Sequence, residues 1–114
     1  MAGMSAPIQG TRYTRQLVSH RLLAPALRAN PALLNDPRVR DALVRSRTHF
    51  GGLYLECLER WAELISECDV DAVLDAVLAE DANGQLMRTT SPLAVLLTEQ
   101  QRMSASQIAA TATR

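Results

Sequence analysis

The chain contains no lysine. Its twelve basic residues are all arginine, they face twelve acids, and the formal net charge is zero. That balance rules out the overall basic footprint of a typical nucleic-acid binder. Aromatic residues are nearly as scarce, at 4% of the chain, so a core must be built from Leu, Val and Ala, which favours helices over sheets. Cys57 and Cys68 are the only cysteines, which excludes a disulfide framework and fits a reducing cytoplasm. No apolar run approaches the ~20 residues of a membrane span. The N-terminus lacks the basic-then-apolar order of a secretory signal. The expectation is a soluble cytoplasmic protein with no membrane association.

What is present is ordinary for a globular domain: 114 residues, 47% of them apolar and 21% charged, enough for one modest core. The charges are unevenly placed. Residues 1–60 hold nine Arg and four acids, whereas residues 61–114 hold three Arg and eight acids. Such polarity allows a basic face to meet an acidic partner, head-to-tail self-association, or neutralisation of one half by the other within the fold.

Residues 1–11, broken by Pro7 and Gly10, read as a flexible arm. A single helical domain is expected over residues 12–103, followed by a weakly ordered tail over residues 104–114. Leu17, Val18, Leu22, Leu23 and Leu27 indicate a first helix, with Pro25 either kinking it or dividing it in two. Asn30-Pro31 and Asp36-Pro37 each combine a capping side chain with a proline suited to the first helical position.

The strongest periodicity follows. Val39, Leu43, Ser46, Phe50, Leu53, Cys57, Trp61 and Leu64 recur at three- and four-residue steps on a largely apolar face, the mark of an amphipathic helix. Gly51-Gly52 costs that helix about 2 kcal/mol of propensity. Either the pair divides two helices or it lies in one long helix at a close approach to a neighbour; the apolar phase carries across it, which slightly favours the continuous helix. Asp69 caps a helix faced by Val70, Val73, Leu74, Val77 and Leu78. Residues 80–90 read as a loop, Ser91-Pro92 opens a short apolar turn, and Thr98 with Gln101 has capping-box spacing. The fold class is therefore all-α: a compact bundle of four to five helices around a long central helix over about residues 37–66.

Chemistry-bearing groups are sparse. His20, His49, Cys57 and Cys68 are the conceivable metal ligands, and no three of them converge by spacing, so no metal and no cofactor are expected; the histidines read as surface groups and Cys57 as a buried thiol. His49 and Cys57, two turns apart on one helix, are separated by about 12 Å of axial rise, too far for direct proton transfer. Asp71 and Asp75 look like a solvated helix face. Gly51-Gly52 lacks the pattern of a phosphate-binding loop. We expect no enzyme.

Binding is the remaining class. Arg38 and Arg45, seven apart, can share a helix face, as can Arg40 and Arg47 beside them. With Arg12, Arg15 and Arg21 of the first helix, Arg40 and Arg47 could meet nucleic-acid phosphates, although no recognition helix after a tight turn is visible. Tyr54, Trp61 and Leu97 are either core residues or, with Arg38 and Arg45, contacts for a protein partner; Tyr and Trp are enriched at interface hot spots.

Two stretches carry a resemblance. Tyr54-Leu55-Glu56-Cys57-Leu58-Glu59-Arg60-Trp61-Ala62-Glu63-Leu64-Ile65 resembles an aromatic-led helix that ends in a Trp-x-x-Leu-Leu type pattern. Arg88 to Arg102, with Ser91-Pro92-Leu93-Ala94-Val95-Leu96-Leu97 inside it, resembles a closing Ser-Pro-Phe-Ala-x-x-Leu motif followed by an acid and an Arg. Together they resemble helical regions of small bacterial antitoxin-like or regulator-like proteins, over residues 12–103. The resemblance implies a non-catalytic protein that silences a toxin enzyme encoded beside it. Leu93 departs from the usual Phe, and the missing helix-turn-helix removes the expected basis for operator binding. The functional expectation is thus a protein-binding module, most plausibly an antitoxin; a nucleic-acid-binding regulator and a purely self-associating homo-oligomer are the alternatives.

Overall fold

A computed structural model describes residues 6–112, with side chains from Arg12 onward. Among them are six α-helices and no strand: α1 (Ala6–Ala29), α2 (Pro37–His49), α3 (Leu53–Glu67), α4 (Val70–Leu78), α5 (Ala82–Thr89) and α6 (Glu99–Ala112). Two 3-10 turns, Pro31–Asn35 and Pro92–Leu96, lead into α2 and α6. The all-α class expected from composition holds, with more helices than four or five.

The starts of these elements follow from local side chains. Asp36 Oδ1 accepts from the Arg38 amide at 2.9 Å, and Pro37 takes the first helical position. Asp69 Oδ1 accepts from the Ala72 amide at 3.1 Å, and Ser91 Oγ from the Leu93 amide at 3.1 Å. Thr98 and Gln101 form the reciprocal capping box, at 2.9 and 3.1 Å. Asn30 precedes its 3-10 turn without a side-chain capping bond. Each cap that forms contributes about 1 kcal/mol.

The expected continuous helix over residues 37–66 is broken. α2 ends at His49, Phe50 is extended, and Gly52 has φ +59° and ψ −129°, a conformation essentially reserved for glycine. The apolar phase persists across the break because both helices lean on the same core. Residues 82–89, expected as part of a loop, form α5. Its cap is Asp81, whose Oδ1 accepts from the Gly84 amide at 2.8 Å. A Cβ on Gly84 would overlap the carbonyl group of Ala79, so glycine here permits a tight α4–α5 corner rather than breaking a helix.

The organising element is α1, which packs on α4, α5 and α6 and on both 3-10 turns. It continues through Pro25, which lies on its exposed side. Leu23, Ala24 and Leu27 of α1 enter a core shared with Leu34, Val39, Leu43, Leu58, Trp61, Leu64, Ile65, Val73, Leu74, Val77, Met87 and Leu93. The Pro92–Leu96 turn packs on α2. α6, expected against residues 37–66 and frayed from about residue 105, instead lies along α1, with Ala105 and Ala109 buried and its helix reaching Ala112.

Candidate functional site

Two regions concentrate side chains that the core does not consume. The first flanks the α2–α3 break. Val44 is 61% exposed, Leu53 57%, and Tyr54 and Leu55 follow in the first turn of α3. The rings of Phe50 and Tyr54 meet at 5.2 Å across the break, so the two helix ends form one elbow. Arg40, Val44 and Arg47 lie at i, i+4 and i+7 on α2, and all three are exposed. Arg45 is exposed beside them. Neither Arg45 nor Arg47 forms an ion pair among the described residues.

The other proposed contacts fare differently. Arg38 is engaged within the chain: Nη2 pairs with Asp36 Oδ2 at 3.0 Å and Nη1 reaches the Val95 carbonyl at 3.4 Å. Its hydrogen bonds hold the Asp36 carboxyl below the usual carboxylate range. Trp61 is 0% exposed, and its indole N–H donates to the Met87 carbonyl at 2.9 Å, joining α3 to α5. A partner could reach it only by unpacking α3. Leu97 is half-buried. The five arginines considered for nucleic acid are divided: Arg12, Arg15 and Arg21 lie on α1, Arg40 and Arg47 on α2. Of these, Arg21 meets Glu80 at 3.5 Å, the one ion pair between the basic and acidic halves among the described residues. Arg40 donates to the Asn35 carbonyl at 3.2 Å.

The second region is a cavity of about 440 Å³ between α1, α5, the Pro92–Leu96 turn and α6. At its side sits His20, expected at the surface but only 3% exposed. Its Nδ1 lies 2.7 Å from the Gln16 carbonyl, which can only accept, so Nδ1 carries the proton. Burial, offset in part by that bond and reinforced by the charge of Arg88, lowers the imidazole pKa from 6.5 to about 4. The neutral ring therefore accepts at Nε2 from the Ser91 hydroxyl, 2.8 Å away. Ser91 Oγ in turn accepts from the Leu93 amide, so one hydroxyl both caps a turn and ties it to α1. A hydroxyl held on an imidazole has the geometry of a nucleophile and its base. With a pKa of about 4, however, the ring is a poor acceptor for that proton at neutral pH, and the arrangement acts as a latch.

Arg88, from α5, is 7% exposed. Its Nη1 donates to the carbonyls of Val77 (2.9 Å) and Ala79 (2.6 Å), while its buried Nε has no hydrogen-bond partner. Arg15 and Arg102 also line the cavity, and no lining residue is acidic. Leu97 and Ala94 supply an apolar wall.

A groove of about 630 Å³ between α3, α4 and α5 is lined by Cys57 and Met87 together with three acids, Glu56, Asp75 and Asp81, and Arg60. Burial, with Glu56 alongside, pushes the Cys57 thiol up, away from the reactive thiolate. Among the described residues, no three His, Cys, Asp or Glu side chains gather as a metal site, and no helix is long and apolar enough to cross a membrane.

Arg45, Tyr54, Arg40 and Arg47, singled out from the sequence, are exposed on α2 and the start of α3. Sequence reasoning missed His20, Arg88 and Arg102 as neighbours. The Ser91-Pro92 cap was legible, but nothing in the sequence links Ser91 to a histidine 71 residues away. Comparison of the chain with protein-family models, with curated proteins and with solved structures finds no match.

Proposed function

We propose that the protein acts by binding another protein through the elbow where α2 meets α3, and that the partner's surface there is apolar at its centre and acidic around it. The observation that carries this reading is the exposure of Val44, Leu53, Tyr54 and Leu55 beside Arg45 and Arg47. Isolated exposed apolar residues are normal on a surface. Three in succession at a helix start, next to a fourth and to unpaired guanidiniums, match the apolar centre and charged surround of a binding face. Positive charge near the contact also steers an acidic partner and sets its orientation.

The resemblance of residues 54–65 and 88–102 to antitoxin-like helical regions makes a toxin enzyme encoded beside this chain the first partner to test. In that role the elbow would cover an active site or hold an inactive conformation, with Arg45 and Arg47 meeting acidic groups of the enzyme.

Co-expression with the adjacent gene product, followed by co-purification and titration, tests the reading. Val44→Asp and Leu53→Asp should each weaken the complex by about tenfold or more, the effect of losing an apolar contact of ~1.4 kcal/mol. Both positions are exposed, so the unbound variants should fold normally. A complex indifferent to both changes would sink the proposal. DNA binding with a steep salt slope would favour a regulator instead, and a concentration-dependent dimer disrupted by the same variants would favour self-association.

A further inference from the structure

We infer that the cavity between α1, α5 and α6 is a binding site for a small phosphate-bearing molecule. Arg88 is the central observation. Arg88 is 7% exposed as a residue, and an arginine buried to that degree ordinarily has a carboxylate against it. Here none forms an ion pair with it among the described residues. Glu80 and Asp81 act on it only at longer range, and Glu80 is drawn towards Arg21. Two backbone carbonyls hold Nη1 in place, and the buried Nε is left without a partner. The fold thus fixes a cation at the cavity wall with no carboxylate paired to it among the described residues.

The surroundings supply what an oxyanion needs. Arg15 from α1 and Arg102 from α6 bring the guanidiniums lining the cavity to three, with no carboxylate to oppose them. Arginine recognises phosphate through paired, planar donors. The Ser19 hydroxyl adds a neutral donor, while that of Thr89 is directed to Gln16 Oε1 at 3.5 Å. His20 contributes no repelling or attracting charge at neutral pH, because both its nitrogens are committed to Gln16 and Ser91. A volume of about 440 Å³ lies within the range of small-molecule sites, and Leu97 offers an apolar surface for the part of the ligand beyond its phosphate. A concave site between three helices suits a compact anion better than a polymer backbone, which needs an extended stripe of charge.

The test uses the full chain at constant ionic strength, titrated with inorganic phosphate and with pyrophosphate against a chloride control. Calorimetry and the His20 ring resonances provide the two readouts. Saturable one-to-one binding that moves the His20 resonances is expected. The double variant Arg15→Gln/Arg102→Gln should weaken it by at least about tenfold, since each charged hydrogen bond lost is worth that much or more. Both side chains are exposed, so its unliganded melting temperature should match the parent's. Arg45→Gln/Arg47→Gln on α2 should leave binding unchanged. No saturation by about 10 mM of either anion overturns the inference. So does equal weakening by the two double variants, which would mark diffuse charge, or binding of oligonucleotides alone with a steep salt slope.

Discussion

At the scale of single residues, His20 couples the fold to pH. Its folded pKa of about 4 lies below the ordinary 6.5 because a charged imidazole cannot be solvated where it sits. Above pH 6.5 neither the folded nor the unfolded chain holds the proton. As pH falls from 6.5 towards 4 the unfolded chain takes it up first, so stability is lost across that window, by roughly 2–3 kcal/mol at the acid end. Urea unfolding at pH 7.5 and 4.5 should therefore show a smaller acid-induced loss for His20→Gln than for the parent. An identical loss in both chains would mean that the ring is solvated. The two glycines of the elbow make a second contrast. Gly51→Ala meets nothing within 4 Å and has an ordinary φ, so it should be neutral or stabilise by up to about 1 kcal/mol. Gly52→Ala meets nothing either, yet forces a side chain to φ +59° and should cost about 1–3 kcal/mol. Denaturant midpoints of the two variants decide this directly.

At the scale of elements, caps and close approaches set the boundaries. The caps at Asp36, Asp69, Ser91 and Thr98 were legible because each depends on residues within a few positions of one another. The α2–α3 break was not, because helical phase alone does not reveal whether the backbone between two phased stretches is helical. α5 was hidden for a related reason. Asp81, Asn83 and Gly84 are loop-forming in isolation, but Asp81 caps, and Gly84 fits against the Ala79 carbonyl as no larger residue could. Trp61 then locks α3 to α5. Trp61→Phe keeps most of the apolar volume and removes the main donor to the Met87 carbonyl, leaving it only the longer contact from Thr90 Oγ1 at 3.4 Å, a hydroxyl that also reaches the Leu86 carbonyl at 2.9 Å. The expected cost is about 1–3 kcal/mol, measured by thermal or urea unfolding; no loss would show that the bond at 2.9 Å contributes nothing net.

At the scale of the whole molecule, α1 is the axis and α6 depends on it. Ala105 and Ala109 are small enough for the two helices to approach closely, and both are buried. Ala109→Leu should overpack that seam at a cost of about 1–3 kcal/mol. It should also expose the C-terminal end of α6 to limited proteolysis, while residues 37–78 stay protected. Uniform protection across the chain would place α6 more deeply in the cooperative unit than this predicts. The charge polarity of the chain also resolves only at this scale. One exposed ion pair, Arg21 with Glu80, bridges the two halves among the described residues. That leaves the arginines of α2 facing solvent at the elbow and the Arg15, Arg88 and Arg102 group at the cavity.

The sequence by itself determined the helical class, the starts of α2, α4 and α6, and the apolar faces of α2, α3 and α4, since each of these is a local matter of capping groups and three- or four-residue spacing. Tertiary structure alone decided that α1 is central. A helix contacted from several sides has no single apolar stripe to read, and α1 buries Ser19 and His20 along with its leucines. It alone decided, too, that His20, Ser91 and Arg88 share one cavity, because burial and the meeting of distant segments are properties of packing, to which no spacing along the chain corresponds.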